Sequence, residues 1–245
     1  MTNMTNRQRI FNQPVFFRGA AWAGVFILSI LIISVGREGL SSLFAIQAHH
    51  ESGRWLKNPT ATSFDLWNKA NDNLATALAL DPGNPLLHED IGQLLDHKAR
   101  YVQGLSAEQR GQIRTESRDH FRAALALRPV SPYTWLSLAL IQSRLGDWGA
   151  ETQFALRQAA ALGPWEPGVQ LDIAYVGWAG WAHWPDDLNL VLEENIVRAS
   201  KRQRAAMLQL VVSRQQKDYV CMHQKLYEAL KPDGCGLLVR MLQLP

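Results

Sequence analysis

One punctuation pattern, repeated three times, constrains this chain more than any other feature: ALALDPGNP at 77–85, ALALRPVSP at 124–132 and AAALGPWEP at 159–167. Each copy joins a run of strong helix formers to Pro-x-x-Pro. The first proline cannot extend a helix, because it lacks an N–H and its ring clashes with the preceding turn. The second suits a first helical position, where an N–H would have no partner anyway. Three helix-turn-helix junctions are therefore predicted, at offsets of 47 and 35 residues. No stretch alternates as a strand would, so the expected class is all-α.

Residues 132–164 resemble the tetratricopeptide family, whose period is about 34 residues. Trp135, Leu138 and Ala139 fall on its first-helix positions, residues 146–148 on its inter-helix turn, and Ala159 and Pro164 on its closing positions. The resemblance implies stacked helix pairs in a solenoid, with Trp135 and Leu138 filling the space between pairs and Ala139 allowing close approach. In the preceding unit Ile91-Gly92, Phe121, Ala124 and Pro129 match, and residues 104–111 are expected to be an inserted connection. Ala70, Leu74, Ala77 and Pro82 match the second helix of the first unit, whose own first helix Asn58-Pro59 should break. RPVSPYTW at 128–135, LGPWEPGVQ at 162–170 and GWAGW at 177–181 are also similar to the VpsP-type family of polysaccharide-biosynthesis proteins, over residues 70–185 at most. That likeness implies an exopolysaccharide context and no mechanism.

Residues 19–35 contain no charge. As a helix they span roughly 26 Å, near the lower limit for a bilayer core, and Arg18 and Arg37 can reach the interfaces. Residues 19–36 are accordingly expected to be a transmembrane helix. The competing expectation is a signal segment cleaved beside Ser34 and Gly36. Arg7, Arg9 and Arg18 precede the first acidic residue, Glu38, which implies a cytoplasmic N-terminus and an exported domain. In a bacterium this places the chain at the inner membrane, with the domain in the periplasm. Beyond those three arginines, basic and acidic residues are equal at 22 each. The body is formally neutral, and no nucleic-acid partner is expected.

The expected organisation is a tail (1–18), the transmembrane helix (19–36), a connecting helical segment (37–64), tetratricopeptide-like repeats (65–184) and a C-terminal helical extension (185–245). Helices are predicted at about 186–200, 202–215 and 217–230, from the periodicity and the Trp184-Pro185-Asp186-Asp187 opening. Cys221 and Cys235 can bond only if the chain after Gly234 doubles back; two buried thiols are the alternative.

The seven histidines lack ligand spacing, and neither a phosphate loop nor a nucleophile turn is present, so no catalytic residue, metal or cofactor is expected. His88-Glu89-Asp90 reads as a charged helix start. Trp178, Trp181 and Trp184 recur every three residues, as though on one helix side, and are candidates for partner or ligand contact, with core packing as the alternative. Arg198, Lys201, Arg202 and Arg204 form a basic run that could attract anionic lipid or an acidic polymer. The functional expectation is an anchored scaffold that binds a protein partner. A carbohydrate-binding module and a chaperone-like secretion accessory are the alternatives.

Overall fold

The computed structural model describes residues 13–57, 64–233 and 235; for 13–20 and 51–57 it describes the backbone alone. The described residues are all-α. They form α1 (Gln13–Lys57), α2 (Phe64–Leu80), α3 (Pro85–Tyr101), α4 (Ala107–Leu127), α5 (Pro132–Arg144) and α6 (Ala150–Leu162). After α7 (Pro167–Ala179) and a 3₁₀ turn (Trp181–His183) come α8 (Asp186–Ser213), α9 (Lys217–Met222) and α10 (Gln224–Leu230). Consecutive helices pack as antiparallel pairs: α1 with α2, α3 with α4, α5 with α6, and α7 with α8.

The three Pro-x-x-Pro segments are the junctions between pairs. The helices after them open on Pro85, Pro132 and Pro167, each at a first helical position, and Asn84 and Ser131 accept N-terminal N–H groups through their side chains. Small residues on the first helices permit close packing. Gly92 is buried with Phe121 so near that an added Cβ would meet the ring at 2.8 Å, and Ala139 and Ala174 are fully buried.

The dozen additional residues of the second unit do not form a loop at 104–111. They lengthen two helices, since α3 has 17 residues and α4 has 21, where α5 and α6 have 13 each. A capping box at Ser106 and Gln109 starts α4 within the expected insertion, so Gly111 is helical while Gly104 (φ +80°) remains in the short turn before the cap. Asn58-Pro59 lies outside the described residues.

The apolar segment is part of a 45-residue helix, α1, and does not end at residue 36. Residues 21–40 are exposed along its whole circumference, and the candidate membrane-crossing stretch is Ala21–His50. Further on, Ser41, Ala45 and Ala48 are buried against α2 and α3, in a core cluster with Trp67, Leu74, Leu87 and Ile91. The membrane-competent helix thus continues directly into the domain and supplies the first helix of the first pair.

Downstream, a central cluster around Leu138, Leu156, Ile173, Leu188 and Leu192 joins α4 to α8. A terminal cluster around Ile196, Met207, Leu226 and Leu230 closes the C-terminal end. The helices expected at 186–200 and 202–215 are the two segments of α8, divided at Gln203 by a kink of non-helical geometry (φ −136°, ψ 45°). The Gln203 side chain donates there to the carbonyl of Pro167 and to Gln170. The helix expected at 217–230 is divided at His223 into α9 and α10. That break lets Cys221 reach Cys235, with Cα atoms 5.5 Å apart and a disulfide between them.

Candidate functional site

The first helices of the four pairs line a cavity of about 420 Å³. α3 contributes the most to it. Asp90, Gln93, His97 and Arg100 recur at three- and four-residue spacing and so share one helix side. Ser137, Ile141 and Arg144 do the same on α5 and Asp172 and Tyr175 on α7, while α1 contributes the adjacent Ala48 and His49. The helix carrying the apolar segment therefore also forms one wall of the groove.

Charge is fixed in place across this wall. Asp96 Oδ2 accepts from Arg100 at 3.0 Å, one turn away, and from Arg144 on the neighbouring first helix. His49 and Asp90 link α1 to α3 at 2.5 Å. The Arg214 guanidinium lies 3.5 Å from the Tyr175 ring centroid. Its pKa is lowered by burial and by the nearby positive charge of Arg144. Burial raises the Asp172 carboxyl, against the opposing effect of Arg144, and also raises Asp90, against His49. His97 is lowered by burial and by Arg100. The second carboxylate oxygen of Asp96 is buried without a hydrogen bond. The result is a groove of mixed polarity in which ion-paired donors and acceptors are already held in position.

Glu89 of the His88-Glu89-Asp90 triplet accepts from Arg128 at 2.6 Å and from Thr134, locking the start of α3 to the α4–α5 junction. Among the described residues no group of three or more His, Cys, Asp or Glu side chains is placed to hold a metal ion.

The tryptophan stripe does not form one exposed side. α7 ends at Ala179 and Gly180 redirects the chain, so Trp178 lies on a helix and Trp181 on the 3₁₀ turn, with Trp184 after it. Trp178 and Trp184 are buried, and Trp184 donates to the carbonyl of Gly177 at 2.9 Å and meets Trp148 edge-on. Trp181 is half-buried between the central and terminal clusters, 4.4 Å from the Tyr219 ring. Trp178 and Trp184 are thus packing side chains, and the three rings do not share one exposed helix side. Trp135, expected deep between pairs, is only half-buried; it donates to Pro129 O at 2.8 Å and contacts Phe154 edge-on. Leu138, Ala139 and Ala159 are buried as expected, while Pro164 sits half-buried on the α6–α7 junction.

The basic run also divides. Arg204 donates to the carbonyls of Leu230 and Lys231 and so caps α10. Arg198 and Arg202 approach the exposed Trp165 ring at 5.4 and 5.2 Å, and Lys201 points to solvent.

Sequence reading missed Asp96, His97, Arg144, Asp172 and Tyr175. The available signal was a polar side recurring every three to four residues on the first helices, which looks the same as an ordinary solvated face until the helices are assembled. Comparison with protein-family models, curated proteins and solved structures finds no match to this chain.

Proposed function

We propose that this chain is a membrane-anchored helical-repeat scaffold of tetratricopeptide type, whose groove between first helices binds a protein partner outside the cytoplasm. The observation that carries the reading is the groove itself: four first helices, one of them the continuation of the apolar helix, present pre-positioned charged and aromatic side chains in one concavity. Binding there confines a partner to the membrane surface. No catalytic step is assigned to the chain.

Anchorage, as opposed to cleavage, is supported by the uninterrupted α1 and by burial of Ser41 five residues after Gly36. The Cys221–Cys235 disulfide fits an oxidising compartment, which agrees with the periplasmic side implied by Arg7, Arg9 and Arg18. An exopolysaccharide assembly or export complex is the cellular setting that the VpsP-type resemblance suggests. Burial of Trp178 and Trp184 favours a protein-binding groove over a carbohydrate-binding stripe.

Photo-cross-linking in intact membranes tests the proposal. A photoreactive residue at Gln93, exposed on the groove wall, should give a discrete protein adduct that disappears when Ser137→Trp fills the cavity. The same probe at Gln112 on α4, outside this groove, should not give that adduct. Equal adducts from both positions, or glycan alone at Gln93, would contradict a protein-binding groove.

A further inference from the structure

The three Pro-x-x-Pro junctions all lie at the end of the domain where α1 enters it. Ser41 Oγ donates to Ala77 O at 2.9 Å, which sets α1 and α2 level at that point. Because the pair is antiparallel, one further turn along each helix brings the α2–α3 junction level with Arg37, where the apolar segment ends. The α4–α5 junction is tied to the first turn of α3 by Arg128 to Glu89, and the α6–α7 junction to the first turn of α5 by Tyr133 OH to Glu166 at 2.7 Å. Arg198 then donates to Pro164 O at 3.4 Å, bringing the middle of α8 to the same end.

This end has a distinct composition. Outside α1 the described residues include eleven exposed large hydrophobic side chains, and six of them (Leu86, Leu127, Val130, Tyr133, Leu162 and Trp165) sit on or beside these junctions. The opposite turns, residues 102–106, 145–149 and 180–185, carry none of the eleven. Arg198 and Arg202 stand beside Trp165, Lys201 is exposed between them on α8, and none of the three has a carboxylate partner among the described residues. Glu166, next to Trp165 in the chain, is engaged by Tyr133. The Trp165 loop is held rigid, since Pro164 O also accepts from the fully buried Gln170 at 2.7 Å.

We propose that this end of the domain docks on an anionic lipid surface, with Val130 and Trp165 in the headgroup layer and Arg198, Lys201 and Arg202 against lipid phosphates. The inference rests on α1 being a membrane anchor. Given that, no free linker separates α1 from the domain, so these junctions are held at headgroup height. Aromatic rings and unpaired basic side chains are the groups that partition there. The docking fixes how the domain stands on the membrane, and with it the direction in which the partner groove opens.

Hydrogen exchange of the full chain in nanodiscs tests this. In discs of phosphatidylcholine with 30% phosphatidylglycerol, the amides of Val130, Ser131, Trp165 and Glu166 should exchange about tenfold more slowly than in pure phosphatidylcholine, whereas residues 145–149 stay unchanged. Combining Arg198→Gln, Lys201→Gln and Arg202→Gln should abolish the difference while the helical circular-dichroism signal and a cooperative melt are retained. Disc-bound chain with lipid-independent exchange at both junctions would overturn the docking and leave the anchor intact. Failure to co-elute with discs would remove the anchor and the docking together. Protection that requires two copies per disc, and not phosphatidylglycerol, would assign the surface to self-association.

Discussion

Gly180 and the rings around it show how single residues determine the C-terminal half. A Cβ at this position would lie 2.3 Å from the Trp184 ring and 2.6 Å from that of Trp148, and both rings are held in the central cluster. Gly180→Ala should therefore destabilise the domain by about 1–3 kcal/mol, as overpacking does. Trp184→Ala removes a buried ring and its hydrogen bond and should cost about 3–5 kcal/mol, well above Trp135→Ala at a half-exposed position. Chemical denaturation of the three variants checks the order, and a Trp135→Ala loss equal to that of Trp184→Ala would contradict it. From the sequence, Trp135 is expected between helix pairs and at least one of Trp178, Trp181 and Trp184 on a binding surface. A W-x-x-W-x-x-W spacing describes one helix side only if the helix continues, and the chain turn at Gly180 cannot be recognised until the rings that crowd it are known. Trp135 occupied the expected register, but its indole N–H is drawn to Pro129 O at the junction, leaving part of the ring in water.

At the scale of helices, the sequence was legible wherever backbone chemistry decides the outcome. Proline cannot be accommodated inside a helix, so the three junctions were readable to the residue. The extra length of α3 and α4 was not, because Gly104 and Gly111 read as a loop while the Ser106–Gln109 capping box operates between them. The pairing of α3 with α4 also introduces a pH dependence. His88 and His120 bring their Nδ1 atoms within 3.0 Å, and burial lowers both pKa values from 6.5, with His88 further lowering His120. The unfolded chain then binds more protons than the native one below that value, so the contribution to stability is present above pH 6.5 and is lost as pH falls through it. The raised Asp90 and Asp172 act in the opposite sense at lower pH, above their ordinary value of 3.8. Melting temperature should fall between pH 7.5 and 5.5, and His120→Gln should flatten that fall. An unchanged pH profile in the variant would show that the pair carries no such linkage.

For the molecule as a whole, three core clusters run in sequence order from the buried part of α1 to the Cys221–Cys235 disulfide. The disulfide closes a separation of 14 residues, and its reduction should cost about 2–4 kcal/mol, concentrated in α9 and α10 and measurable as a lower melting temperature in reductant. The groove could not be read in advance because its polar residues come from helices far apart in sequence and meet only through stacking. The position of the apolar helix was readable, but its second role was not: Ala45 and Ala48 are too small to signal burial, and only packing against α2 reveals it.

That double role is the central claim, and the form of the mature chain in cells tests it most directly. Membranes should be washed with alkaline carbonate and the retained protein analysed by intact mass. The account predicts a membrane-retained chain that still carries residues 19–36. A soluble periplasmic chain beginning at or just after Gly36 would contradict it, because the domain would then fold on a severed α1 and no anchor would hold its groove at the membrane.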